Sequence, residues 1–64
     1  MPGKLTANEV EIMDMVCNGC TDKEIARTRE KAVSTVKNTM VRIREKLDAR
    51  NRGHAVKLYL LGKN

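Results

Sequence analysis

The stretch Val33-Ser34-Thr35-Val36-Lys37-Asn38-Thr39-Met40-Val41-Arg42-Ile43-Arg44-Glu45-Lys46-Leu47 decides how this chain folds. Val33, Val36, Met40, Ile43 and Leu47 are spaced by three, four, three and four residues, which lines one face of an α-helix. The opposite face carries Ser34, Asn38, Val41 and Glu45, with Lys37 and Arg44 on one flank and Arg42 on the other. Such a helix belongs half to a core and half to a surface. Periodicity alone leaves two readings of the polar face level: an ordinary solvated surface, or a binding face.

Upstream, the boundaries are chemical. The polar run Thr28-Arg29-Glu30-Lys31 reads as a turn. Before it, Thr21-Asp22-Lys23-Glu24 is a capping box that opens a short helix with Ile25 and Ala26 inward. Thr6-Ala7-Asn8-Glu9 is a second box, with Leu5 and Val10 placed as its hydrophobic staple. The helix it opens carries Ile12, Met13, Val16 and Cys17 on one face and ends before Gly19. Downstream, Asp48-Ala49-Arg50 breaks the stripe, and Asn51 caps a last helix that runs to Leu61 ahead of Gly62. That helix turns Ala55, Val56, Tyr59 and Leu60 to one side, and Leu58 and Leu61 widen its apolar arc beyond what one core needs. No segment alternates with period two. The expectation is an all-α, four-helix domain over 5–62, with helices at about 7–18, 22–28, 33–47 and 52–61, and tails at 1–4 and 63–64.

Composition narrows the function. A chain of 64 residues buries only about 60% of its unfolded surface and has no room for a deep substrate pocket. The net charge is +5, from 13 basic and 8 acidic residues. Glu9, Glu11, Asp14, Asp22, Glu24 and Glu30 lie in the first half, whereas Glu45 and Asp48 alone face the basic residues that follow. A basic surface gathered in the C-terminal half favours nucleic acid. Tyr59 is the only aromatic residue, which disfavours base stacking on single strands. No apolar run approaches the roughly 18 residues of a membrane span and no signal peptide opens the chain. A cytoplasmic setting with reduced cysteines and no membrane contact is expected.

Several tempting signals carry little. Cys17-Asn18-Gly19-Cys20 is a CxxC, but a structural zinc site wants four ligands and His54 is the only histidine. A thioredoxin-like pair would need a βαβ frame. Two structural cysteines and a surface His54 are the simpler reading. Glu9 and Glu11, two residues apart, point to different sides of a helix, and no nucleophile–base–orienter set is present. No enzyme activity, cofactor or metal is expected.

Two short capped helices, a turn and a longer helix with a polar outer face make a helix-turn-helix, whose second helix enters the major groove. Lys37 can donate to guanine or a phosphate, Asn38 can pair with adenine, and Val41 can meet a thymine methyl. The chain also resembles the LuxR-type family, known too as the GerE or FixJ type. The resemblance lies in Leu5-Thr6 with Glu9 and Glu11, Gly19, Lys23-Glu24-Ile25-Ala26, Thr35-Val36-Lys37-Asn38, Ile43, Lys46-Leu47, Arg50-Asn51-Arg52 and Ala55-Val56. It implies a regulator of transcription that binds double-stranded DNA. Bases would be read by Lys37, Asn38 and Val41, and the DNA backbone would be met by Ser34, Thr35, Arg42, Arg44, Lys46, Arg50 and Arg52. Pairing into a homodimer would use Leu58, Tyr59 and Leu61 of the last helix.

The chain departs from that pattern in the turn. Arg29 and Lys31 stand where apolar residues are usual, Ala32 where a serine cap is usual, and Thr39 where a histidine is usual. Arg29 and Lys31 are therefore candidates to face phosphates. Family members commonly carry a receiver or ligand-sensing domain ahead of the helices; for these 64 residues acting alone, regulation is expected through protein level or a partner such as RNA polymerase or another regulator. The alternative reading is a small helical protein-interaction module that binds and modulates another regulator or a polymerase subunit. The polar, uncapped turn is the feature that favours it.

Overall fold

A computed structural model describes residues 4–62. The tail residues 1–3 and 63–64 lie outside the described residues. The chain forms four helices, α1 (Ala7–Cys17), α2 (Asp22–Arg29), α3 (Val33–Leu47) and α4 (Arg52–Leu61), with no strand among the described residues. The all-α expectation holds.

Both capping boxes are formed. The Thr6 hydroxyl accepts from the Glu9 amide at 3.2 Å and the Glu9 carboxylate accepts from the Thr6 amide at 2.8 Å. Thr21 and Glu24 repeat the pair at 3.2 and 2.8 Å. Asn51 Oδ1 accepts from the His54 amide at 2.8 Å, and the Arg50 amide donates to His54 Nδ1 at 3.0 Å. The start of α3 differs. Ala32 has extended backbone and offers no side-chain cap.

The first three helices end alike. In each, an amide bonds the carbonyl five residues earlier: Cys20 to Met15 at 3.0 Å, Lys31 to Ala26 at 2.8 Å and Ala49 to Arg44 at 2.8 Å. This closure needs a left-handed residue just before the donor. Gly19 supplies it with φ 87°, but Glu30 (φ 55°) and Asp48 (φ 56°) supply it without being glycine. The turn expected from Thr28 accordingly begins two residues later, at Glu30.

The core draws on all four helices: Ile12, Met13 and Val16; Ile25 and Ala26; Val36, Met40 and Ile43; Ala55 and Tyr59. Helix α3 packs against α2 and α4, and α1 closes onto α4. Leu60, expected inward, is 52% exposed. It lies about 100° around the helix from Tyr59, too far to share the buried face. Tyr59, expected at a pairing surface, is only 8% exposed, and its hydroxyl donates to Asp14 at 2.7 Å.

Polar ties complete the packing. Glu9 is 5% exposed, and its capping oxygen also accepts from the Lys46 ammonium at 2.7 Å, which joins the start of α1 to the last turn of α3. Burial pushes the Glu9 carboxyl up, but the Lys46 ammonium and the Thr6 amide outweigh it and hold it below its ordinary value. Arg29 reaches back to Glu11 and Asn8 on α1. Arg29, the last residue of α2, thus ties the end of that helix to α1.

Two consequences are measurable. Ala32→Ser should supply the absent cap and raise stability by about 0.5–2 kcal/mol, seen as a higher urea midpoint with unchanged slope. Glu9 stabilises the fold while ionised, so its contribution is complete above the carboxyl's unfolded-state value and is lost as pH falls through the lower folded-state value. Glu9→Gln should lower the melting temperature at pH 7 and flatten its decline in acid. An acid limb as steep as the parent's would place the titrating group elsewhere.

Candidate nucleic-acid interface

Because Val36 and Ile43 are 1% and 0% exposed, α3 can turn in only one way about its axis. That rotation puts Ser34, Thr35, Lys37, Asn38, Val41 and Arg42 on the solvent side. The six lie at i, i+3, i+4 and i+7 separations, so they form one continuous strip over two turns. Val41 is 43% exposed. Thr39 falls on the inner side, where its hydroxyl bonds the Thr35 carbonyl at 2.9 Å.

The expected backbone-contacting residues divide into two sets. Arg42 and Arg50 are exposed and Arg44 is half-buried, and among the described residues none of the three takes part in an ion pair, nor does Lys37. Lys46 and Arg52 are different. Lys46 is committed to Glu9, and Arg52 pairs with Asp22 at 2.5 Å while donating to the Cys20 carbonyl at 3.0 Å. Arg52 therefore pins the start of α4 to the α1–α2 turn and the first residue of α2. Both cations were expected at phosphates, and in the fold both are paired with a carboxylate from another helix. Lys31 remains exposed, as its expected role requires.

Intramolecular pairing also reshapes the surface charge. Glu9, Glu11, Asp14 and Asp22 each have a partner inside the fold, in Lys46, Arg29, Tyr59 and Arg52. Among the described residues, Lys37, Arg42 and Arg44 remain unpaired on α3, together with Glu45. These ties escape a reading of the sequence because their partners are 18 to 45 residues apart, beyond any local pattern. Glu9 is recognisable from sequence as a cap, but nothing there reveals its second bond.

A shallow groove opens beside the strip, between α2, α3 and α4, lined by Asp22, Lys37, Met40, Val41, Arg44 and Arg52. On α4, Leu60 and Leu61 are 52% and 62% exposed and Leu58 is half-buried. Cys17 and Cys20 are half-buried against the core. Among the described residues no group of three or more His, Cys, Asp or Glu could hold a metal ion, and no helix is long and apolar enough to cross a membrane.

No curated protein and no solved structure matches the chain. The family described as bacterial regulatory proteins, luxR family, matches residues 3–59, which takes in all of α1, α2 and α3 and most of α4. With that match laid over a helix-turn-helix whose outer strip is polar and basic, the chain belongs to the luxR family of bacterial regulatory proteins, as a DNA-binding domain of that family.

Proposed function

We propose that this domain reads specific sequences in double-stranded DNA and regulates transcription as a homodimer. Helix α3 would enter the major groove, with Lys37, Asn38 and Val41 on base edges and Ser34, Thr35, Arg42, Arg44 and Arg50 on the backbone. The observation that carries this reading is the two-sidedness of α3. One face is sealed in the core, and the other presents Ser34, Thr35, Lys37, Asn38 and Arg42 to solvent, with Glu45 as the one acid of the helix at its far end. Lys46 and Arg52 act at one remove, by holding α3 and α4 in position. The homodimer would use the outer face of α4, where Leu58 and Leu61 lie with Leu60, and not the enclosed Tyr59. The protein-interaction alternative has less support, since the end of α2, just ahead of the turn that favours it, is tied to α1 through Arg29.

Selection from a randomised duplex pool, followed by salt titration on the enriched sequence, tests the reading. Lys37→Ala should reduce the preference for the enriched sequence over random DNA by about 1–3 kcal/mol. Arg42→Ala should weaken both equally and lower the salt slope by about 1. Equal losses on both DNAs for Lys37→Ala would remove it from the bases. Separately, Leu61→Glu should keep the parent's melting temperature and reduce a two-part footprint to one half-site. An intact two-part footprint would remove α4 from the dimer contact.

A further inference from the structure

The groove beside the reading strip has a composition that plain phosphate binding does not explain. Lys37 lies three and four residues before Met40 and Val41, and Arg44 lies four and three after them, so two cations flank two apolar side chains on one patch of α3. Met40, only 5% exposed, forms the floor, and Val41 forms the rim toward the solvent strip. Arg52, held by Asp22 and the Cys20 carbonyl, closes the far end with its charge already compensated. The apolar floor therefore sits in the basic face of the reading helix, and the pinned Arg52 limits how far its end can move.

In the major groove of duplex DNA, the apolar group that stands proud of the base edges is the C5-methyl of thymine. Its neighbour on the same edge is the O4 acceptor. A floor of Met40 and Val41 with the Lys37 ammonium alongside is complementary to both. Cytosine would offer its N4 donor to Lys37, a mismatch of like partners, although a methyl at its C5 would still fit the floor.

Resting on the base-reading role of α3, we propose that Met40 and Val41, flanked by Lys37 and Arg44, form a notch for the 5-methyl group of a pyrimidine in the major groove. The domain then discriminates thymine from uracil, and 5-methylcytosine from cytosine, at one position of each half-site. C5 methylation of a cytosine at that position becomes a chemical mark that this surface detects.

The experiment uses the whole chain and the duplex enriched from a randomised pool, with each thymine replaced in turn by deoxyuridine. Burial of one methyl group corresponds to roughly a fourfold effect. One thymine per half-site should lose about that factor on replacement, and the others should lose little. With a C·G pair at that position, 5-methyldeoxycytidine should bind more tightly than deoxycytidine by a similar factor. Val41→Ala, at an exposed site, should keep the parent's melting temperature and salt slope while abolishing the thymine–uracil difference. Equal affinity for thymine and uracil at every position, with preference for the enriched duplex retained, overturns the notch and leaves sequence reading standing. Absence of any enriched sequence overturns both. A difference that survives in Val41→Ala overturns the assignment to this groove.

Discussion

Burial of one stripe of α3 is the constraint from which the rest follows. Val36, Met40 and Ile43 fill the space between α2 and α4, and their enclosure fixes the rotation of the helix about its own axis. Once that angle is fixed, the chemistry facing outward is fixed as well. A change of helical phase by one residue would turn each side chain by about 100° and bring Lys37 toward the core, where an unpaired ammonium is untenable. Packing and the proposed recognition are two faces of one helix.

Hydrophobic enclosure alone is slight in a domain of this size, and three polar ties reinforce it. Each spans elements that are distant in sequence: Glu9 with Lys46, Arg29 with Glu11 and Asn8, and Arg52 with Asp22 and the Cys20 carbonyl. Glu9 is the least exposed of these acids and the one with the most to lose, since removing one partner of a buried pair strands the other. The more exposed pairs contribute less to stability, typically below about 1 kcal/mol each. Each also neutralises one cation together with one carboxylate, so the net charge of the fold is unchanged.

Much of this architecture is legible in the sequence because the signals are local. Thr6 with Glu9 and Thr21 with Glu24 are capping boxes that form wherever their helices form, and Asn51 caps α4 by the same logic. The stripe from Val33 to Leu47 declares both the helix and its inner face. Tyr59 and Leu60 are less legible, since the last four residues of α4, Leu58 to Leu61, are all apolar and their pattern does not mark which side is buried. The roles of Lys46, Arg52 and Arg29 were not legible at all. A basic residue on a helix looks the same in sequence whether it awaits a phosphate or is held by a carboxylate from another helix.

The left-handed residues that bracket α3 have a further consequence. Glu30 and Asp48 take a conformation that costs a side-chain-bearing residue roughly 1–2 kcal/mol and that glycine would adopt freely. A glycine there would also act as a loose hinge, with many backbone states open to it. By using residues with few such states, the chain settles the inclination of its third helix during folding, and little freedom remains to be surrendered when a rigid duplex is met. Conformational entropy that a flexible arm would lose on association has already been spent, so the free energy of contact is available for discrimination between partners.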